Sequence, residues 1–139
     1  MTTLPQLAVS AALIRGDDVL LIERSRGQTL EGLLSFPGGR VGFGETMRAA
    51  LSREIFEEVG LTVDSGALTF VTNHEAIHRD FHFVICVFVA RIGRDAVPVA
   101  GTDAASVRFE SIGSVRAFER DGLTTPGLAT ILDLARKLL

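Results

Sequence analysis

Three glutamates occur at spacings that would bring their carboxylates together on one side of a helix. Placed on a helical wheel, Glu54, Glu57 and Glu58 fall within an arc of about 100°. Like charges at such spacings destabilise an isolated helix, so a cation that neutralises them is favoured. Carboxylate oxygens select hard divalent ions, and the cluster therefore predicts a site for Mg²⁺ or Mn²⁺. Taken alone, three glutamates at this spacing are also typical of a solvated helix face.

The three glutamates belong to a longer pattern of fixed residues at fixed offsets. Residues 39–61, GRVGFGETMRAALSREIFEEVGL, fit the pattern G-x5-E-x7-R-E-U-x-E-E-x-G-U, where U is aliphatic. The matching residues are Gly39, Glu45, Arg53, Glu54, Ile55, Glu57, Glu58, Gly60 and Leu61. A chance match at every position has a probability on the order of one in ten million. This pattern is the Nudix box, and the chain resembles the Nudix hydrolases, metal-dependent enzymes that cut nucleoside diphosphates linked to another group.

The resemblance implies a role for each fixed residue of the box. Nudix hydrolases bind metal through box glutamates and a backbone carbonyl near the glycine turn. The corresponding metal-binding positions here are Gly39, Glu54, Glu57 and Glu58. Arg53 matches the arginine that holds a box glutamate through a salt bridge, and Glu45 matches the loop glutamate that supports the metal site. An Arg–Glu pair is also found as a plain surface ion pair, worth about 0–1 kcal/mol.

The reaction that the resemblance implies is hydrolysis of a pyrophosphate bond. Metal ions neutralise the pyrophosphate and activate water near neutral pH, and a carboxylate must accept the proton of that water. Family members use either a box glutamate, here Glu57 or Glu58, or an acid from a later loop. We select Asp103 as the loop acid, because related sequences carry an acid before the aromatic residue that corresponds to Phe109. The alternative is that Asp103 is a solvated loop residue.

Residues outside the metal positions are candidates for substrate binding. They are Arg24, Phe36, Gly38 and Arg40. The two arginines are candidates to meet a substrate phosphate, although a surface role is the alternative for each. A nucleobase needs a flat apolar partner, and the chain has nine Phe but no Trp or Tyr. Phe36, Phe43 and Phe81 are expected near the cleft, and Phe36 also fits a simple core position.

The substrate class is less well defined than the reaction. The Ala100–Ala105 loop and the Val107–Phe109 segment look closest to the bacterial branch called ADP-ribose pyrophosphatase-like, which predicts ADP-ribose or a related nucleoside diphosphate sugar. The first alternative is a MutT-type nucleoside triphosphate pyrophosphatase that acts on 8-oxo-dGTP. The second is a Nudix domain that senses nucleotides without catalysis. Sensing domains commonly lose box carboxylates, whereas this chain keeps all of them.

Composition limits the remaining possibilities. The chain has 139 residues and a net charge of −3, with no basic stripe of the kind that nucleic-acid-binding domains show. Cys86 is the single cysteine, which excludes an intrachain disulfide framework and a cysteine-based zinc cluster. The apolar run 83–90 is too short to span a bilayer, and no signal peptide is evident. We expect one cytoplasmic domain over residues 1–139 that binds a small nucleotide, with homodimerisation as a possibility.

The pattern of apolar residues and breakers predicts the elements that position these side chains. We expect a helix from Thr46 to Val59 that ends at Gly60, with a buried stripe of Leu51, Ile55 and Val59. A second helix is predicted through Leu138, with Thr125 as its N-cap and Pro126 in its first turn. The expected strands are Gln6–Arg15, Val19–Arg24, short pieces within Ser35–Phe43, Ala67–Glu75, Phe81–Ile92 and Val107–Ile112. Mixed strands with two helices predict an α/β/α sandwich with a mixed β-sheet. His74 and His78 flank Glu75 in an expected hairpin and are assigned no catalytic role.

Overall fold

The strands form one mixed sheet, and helices pack on both of its faces. The computed structural model describes residues 4–139. Its strands are β1 (Gln6–Arg15), β2 (Asp18–Arg24), β3 (Leu34–Ser35), β4 (Gly38–Arg40), β5 (Thr69–His78), β6 (Phe81–Arg91) and β7 (Ala104–Ser111). Its helices are α1 (Met47–Val59), α2 (Ile112–Arg120) and α3 (Leu128–Arg136), with a 3₁₀ turn at Ser65–Ala67. The predicted α/β/α sandwich is confirmed.

The sheet order explains how distant segments meet at one site. The main path runs β3-β2-β1-β6-β5, while β4 pairs with β1 and β7 pairs with β2. The β1–β6 pair is parallel and the other strand pairs are antiparallel. Because β1 is paired with β2, β4 and β6, it connects the glycine turn of β4 to the β5–β6 hairpin.

Two apolar clusters hold the helices on opposite faces of the sheet. On one face Leu51, Ile55 and Val59 of α1 are fully buried, as the helical stripe predicts. On the other face α2 and α3 pack over β1, β2 and β6. Within the part of the chain that the structure describes, no helix is long and apolar enough to cross a membrane.

The C-terminal third differs from the sequence-based expectation. Helix α2 was not predicted, although Ile112 and Val115 are buried and Phe118 packs beside them, at intervals of three residues. Strand β7 begins at Ala104, three residues before the expected start, because its pairing with Arg24 of β2 extends it backwards. Strand β5 likewise continues to His78, where it pairs with Phe81 in the hairpin.

The predicted cap of the last helix is wrong. Helix α3 begins at Leu128 with Gly127 as its N-cap (φ +84°), and it ends at Arg136 rather than Leu138. The Thr125 N–H donates to the Leu34 carbonyl oxygen at 3.0 Å, so this segment is tied to β3 instead of starting a helix. The Glu119 carboxylate of α2 accepts from the N–H groups of Gly127 and Ala129, at 3.3 and 2.7 Å. A side chain of the preceding helix, eight residues before Gly127, thus replaces the local cap.

Candidate active site

Helix α1 is fixed at both ends, which sets the direction of its glutamates. The Thr46 hydroxyl accepts from the Ala49 N–H at 3.1 Å and caps the first turn. Gly60 ends the helix with φ +71°, and its N–H donates to the Phe56 carbonyl oxygen at 3.0 Å. Glycine adopts this left-handed conformation without the strain that a side chain would bring. Glu54 and Glu58, on the side next to the buried stripe, are therefore held towards β4.

The glycine turn of β4 lies directly against the two inward-facing carboxylates. The Gly38 N–H donates to Glu58 Oε1 at 2.8 Å. A Cβ added to Gly39 would lie 2.3 Å from Cδ of Glu54, and one added to Gly38 would lie 2.1 Å from the Val9 carbonyl oxygen. These positions accept only glycine at the observed distances. The Pro-Gly-Gly turn is therefore part of the carboxylate site.

Arg53 joins the box loop, β4 and α1 through a single guanidinium group. Its Nε and Nη2 donate to the two carboxylate oxygens of Glu45 at 2.9 and 2.6 Å. Its Nη1 contacts Glu54 Oε1 at 2.9 Å and Glu57 Oε2 at 3.3 Å, and Nη2 also donates to the Arg40 carbonyl oxygen at 3.2 Å. Glu45 in turn accepts from the Gly42 N–H at 2.7 Å. Arg53 therefore connects the box loop and β4 to two glutamates of α1, and the supporting role of Arg53 and Glu45 stays a prediction.

Burial separates the carboxylates into two electrostatic environments. Desolvation raises the pKa of Glu58 to about 8, and the charges of Glu54 and Asp103 act in the same direction. Desolvation also raises the pKa of Glu54, against the opposing effect of Arg53. By contrast, the hydrogen bonds from Arg53 lower the pKa of Glu45 to about 2. The inner carboxylates are therefore costly to ionise, and a nearby cation would stabilise their charged forms.

The donor set fits a hard divalent cation, although its ligands are not yet gathered around one point. Residues 4–139 contain no group of three or more His, Cys, Asp or Glu side chains already arranged to hold a metal ion. Glu54 lies against Gly39, whose carbonyl is the predicted fourth donor, and Glu58 accepts a hydrogen bond from the neighbouring Gly38 N–H. Glu57 instead contacts Arg53, and its side chain is 52% exposed. All of these donors are oxygens, the ligand type that Mg²⁺ and Mn²⁺ prefer.

A loop after β6 brings Asp103 to the inner glutamates. The N–H groups of Val99 and Gly101 donate to the carbonyl oxygens of Val59 and Glu58, at 2.9 and 2.8 Å. A Cβ on Gly101 would lie 1.9 Å from the Glu57 carbonyl oxygen, so this close approach also requires glycine. The loop thus packs on the C-terminal end of α1. Asp103 follows directly, close enough to raise the pKa of both Glu54 and Glu58.

A cavity of about 590 Å³ opens beside the carboxylates. Most of the predicted site residues line it, namely Arg24, Phe36, Gly38, Gly39, Arg40, Glu54, Glu58 and Asp103. The predicted residues that do not line it are Glu45, Arg53 and Glu57. Arg24 is held at the cavity wall by Thr29, whose carbonyl oxygen and hydroxyl accept its hydrogen bonds at 2.5 and 3.0 Å. Burial lowers the pKa of Arg24.

The aromatic candidates occupy three different environments. Phe36 is 6% exposed and belongs to the apolar cluster under α3, so it serves the core while also bordering the cavity. Phe81 lines the cavity as expected. Phe43 is fully exposed in the box loop and is not among the residues that line the cavity.

The β5–β6 hairpin supplies a cavity wall of which the sequence reasoning identified only Phe81. Phe81, Phe83, Ile85 and Val87 alternate along β6 and line the cavity together. Side chains at two-residue intervals share one face of a strand, and this alternation was the available signal. The Arg40 guanidinium lies 5.6 Å from the ring centroid of Phe83, which links β4 to this wall. The cavity therefore has a carboxylate end at α1 and an apolar wall at the hairpin.

Known proteins resemble this chain in sequence and fold. A Mycobacterium tuberculosis protein provisionally named 8-oxo-dGTP diphosphatase 2 is 50% identical over 60 residues, which cover 43% of this chain and 43% of that protein. An ADP-ribose pyrophosphatase from Methanocaldococcus jannaschii is 30% identical over 111 residues, covering 80% of this chain and 64% of that protein. Each match thus spans less than two thirds of the relative. The crystal structure of a MutT protein from Methanosarcina mazei Go1 shares the fold, with a TM-score of 0.82 at 17% identity over 99% of this chain and 98% of that one.

The family assignment rests on a match over most of the sequence. The family model described as NUDIX domain matches residues 4–128, a range that includes β1 to β7, α1, α2 and the first residue of α3. The carboxylates of α1, the glycine turn of β4 and the Asp103 loop all lie inside that range. The chain belongs to the NUDIX domain family.

Proposed function

We propose that this protein is a metal-dependent hydrolase that cleaves the pyrophosphate bond of a nucleoside diphosphate linked to another group. Nudix hydrolases generally depend on divalent metal ions. The observation that carries the proposal is the contact of the β4 glycine turn with the Glu54 and Glu58 carboxylates at the edge of a large cavity. An all-oxygen donor set beside a cavity of this size fits a metal-held, nucleotide-sized substrate.

Each residue of the site has a role in this proposal. Mg²⁺ or Mn²⁺ would be held by the carbonyl of Gly39 and by the carboxylates of Glu54, Glu57 and Glu58. When bound, the ion neutralises the pyrophosphate and lowers the pKa of the attacking water. Arg53 and Glu45 keep the glutamates in position without touching the substrate. Arg24 and Arg40 at the cavity wall donate hydrogen bonds to phosphate oxygens.

Proton transfer completes the hydrolysis. A water oxygen attacks one phosphorus, the bridging P–O bond breaks, and the second phosphate leaves with the bond electrons. The proton of that water passes to a carboxylate, and we assign this role to Asp103 because it lines the cavity and is not engaged by Arg53. Glu57 and Glu58 are the alternatives within the box. Their placement as metal ligands leaves Asp103 as the carboxylate available to act as base.

The substrate that we propose is ADP-ribose or a related nucleoside diphosphate sugar. The supporting relative is the Methanocaldococcus jannaschii ADP-ribose pyrophosphatase, whose match covers 80% of this chain and so includes regions beyond the box. The second candidate is an oxidised nucleoside triphosphate. The Mycobacterium tuberculosis relative supports it with 50% identity, over a shorter segment.

A panel of nucleotides with Mg²⁺ or Mn²⁺ tests both candidates. ADP-ribose, other nucleoside diphosphate sugars, 8-oxo-dGTP and ordinary triphosphates are incubated with the protein, and the products are separated by chromatography. We expect AMP and ribose 5-phosphate from ADP-ribose, and a reduction of about a hundredfold in turnover for Glu58→Gln, because the substitution would remove a metal ligand. Release of a monophosphate and pyrophosphate from 8-oxo-dGTP alone favours the second candidate. Tight binding without turnover under either metal favours a nucleotide sensor and contradicts the enzyme.

A further inference from the structure

One row of residues crosses four strands from the carboxylate end of the cavity to β5. Arg40 of β4 lies opposite Ala8 of β1, Ala8 opposite Ile85 of β6, and Ile85 opposite His74 of β5. Residues directly opposite each other point to the same face of a sheet, and all four line the cavity. Three strand spacings separate the two ends of the row, a distance of about 14 Å. The row therefore gives the cavity a floor long enough for a group attached to the pyrophosphate.

His74 is the polar side chain at the far end of this floor. Its neighbours on the same face of the hairpin, Ala76, Phe83 and Ile85, are apolar and also line the cavity. The imidazole is half-buried, and among residues 4–139 it makes no hydrogen bond or ion pair. A neutral imidazole has one hydrogen-bond donor and one acceptor. Leaving both unpaired in a half-buried position costs more free energy than placing an apolar side chain there.

The start of α3 covers the His74 ring. A Cβ on Gly127 would lie 3.2 Å from Cε1 of His74, so the absence of a side chain at Gly127 leaves space for the ring. Thr125, Pro126 and Leu128 line the cavity beside it. The His74 end is therefore a slot between a flat, largely apolar floor and the first turn of a helix. Such a slot fits a planar heteroaromatic group with hydrogen-bonding atoms at its edge.

We propose that His74 is a substrate-binding specificity residue whose imidazole hydrogen-bonds the base of the bound nucleotide. The proposal rests on the proposed function, because it requires the phosphates to lie at the Glu54 and Glu58 end. The base then lies on the hairpin wall near Phe83, and its edge supplies the hydrogen-bonding partner that the protein does not provide to His74. Three strand spacings separate His74 from Arg40 beside the glycine turn, so the His74 ring would contact the base end of the nucleotide and not the scissile bond.

Binding of products separates the base contact from catalysis. AMP, GMP, CMP and UMP are titrated against the wild-type protein by calorimetry with Mg²⁺, and ribose 5-phosphate serves as the ligand without a base. For the monophosphate that binds most tightly, we expect His74→Ala and His74→Phe to weaken binding about tenfold, equivalent to about 1.4 kcal/mol. His74→Gln keeps a donor and an acceptor and should stay within threefold of wild type. Binding of ribose 5-phosphate should be unchanged in all three variants.

His82 provides a matched control. It is a half-buried histidine of β6 on the face opposite to Phe81 and Phe83, and it does not line the cavity. His82→Ala should bind the same monophosphate within twofold of wild type. Unfolding midpoints of all variants identify any loss caused by misfolding, and His74→Phe preserves the packed volume if His74→Ala does not fold.

The outcomes distinguish this inference from the proposed function. The inference is overturned if His74→Phe binds as wild type does, if His82→Ala loses as much as His74→Ala, or if no monophosphate binds more tightly than ribose 5-phosphate. A wild-type protein that binds a monophosphate through His74 but hydrolyses no nucleotide contradicts the enzyme and leaves the base contact standing. Hydrolysis by the wild-type protein, together with unchanged monophosphate binding in His74→Ala and His74→Phe, supports the enzyme and overturns the base contact.

Discussion

The buried Glu58 carboxylate makes the stability of the metal-free protein depend on pH. Its side chain is 5% exposed, and desolvation raises its pKa from 4.5 to about 8. Between these two values the folded protein holds a proton on Glu58 that the unfolded chain releases. The stability that this group contributes is therefore fully present below pH 4.5 and is lost as the pH rises through 8.

The expected size of the effect follows from that shift. One pH unit corresponds to about 1.4 kcal/mol, so the free energy of unfolding should fall by on the order of 4 kcal/mol between pH 5 and pH 8. The raised pKa of Glu54 acts with the same sign. Glu45, whose pKa is lowered to about 2, contributes stability above pH 4.5 that is lost only on acidification, outside this window. A loss of this size is a large part of the 5–15 kcal/mol typical of a small domain.

Urea unfolding in EDTA from pH 5 to pH 9 measures this dependence. Glu58→Gln keeps an oxygen for the Gly38 N–H and removes the titration, so its profile should be nearly flat and its stability should exceed that of wild type at pH 8. Glu75→Gln, at an exposed glutamate of β5, is the matched control and should keep the wild-type slope. A wild-type profile that stays flat, or a slope that Glu58→Gln leaves unchanged, would refute the reasoning. Added Mg²⁺ should stabilise wild type more at pH 8 than at pH 6, because metal binding requires the ionised carboxylate.

Three further substitutions test the parts of the site. Arg53→Lys removes the guanidinium group whose Nε and Nη2 donate to both carboxylate oxygens of Glu45. In a metal titration, the Mg²⁺-dependent activity of this variant should be about ten- to a hundredfold lower than that of wild type. Gly39→Ala places a methyl where the Glu54 carboxylate lies, so kcat/KM should fall at least tenfold; Gly113→Ala, where a Cβ meets no atom within 4 Å, is its control. Asp103→Asn should lower kcat about a hundredfold with little change in KM if Asp103 is the base. A loss of less than threefold in kcat contradicts that assignment.

The box and its helix were predictable because their information is local. The stripe of Leu51, Ile55 and Val59 and the stop at Gly60 act within a few residues and behave as predicted. Thr46, expected as the first helical residue, is the N-cap one position before the helix. The geometry of Arg53 with Glu45 also follows from the box, since both lie within one loop and one helix. For these residues the structure supplies the distances between side chains and the extent of burial, and it keeps the arrangement that the box implies.

The remaining features depend on pairings between distant segments. The Thr125 N–H is bonded to Leu34, and Glu119 replaces the cap that the Thr-Pro sequence suggested. A pattern that spans only a few residues cannot predict the hydrogen bond between Thr125 and Leu34, which lie about ninety residues apart. The cavity floor has the same origin, because Arg40 and His74 share a row only through the registers of three strand pairs. The substrate-facing surface was therefore the part of the site that sequence reasoning described least.

The cost of ionising the buried glutamates explains why several residues hold their carboxylates in place. Burial makes ionised Glu54 and Glu58 unfavourable, and Asp103 adds a further negative charge. Arg53 offsets part of this repulsion at Glu54, yet the first opposing influence at Glu58 is the single hydrogen bond from Gly38. The Glu58 carboxylate is thus the one that a bound cation would stabilise most, and the Gly38 N–H already holds it in position in the metal-free protein. Metal affinity and metal-free stability should therefore change in opposite directions when Glu58 is neutralised, which links the pH profile of unfolding to the metal dependence of catalysis.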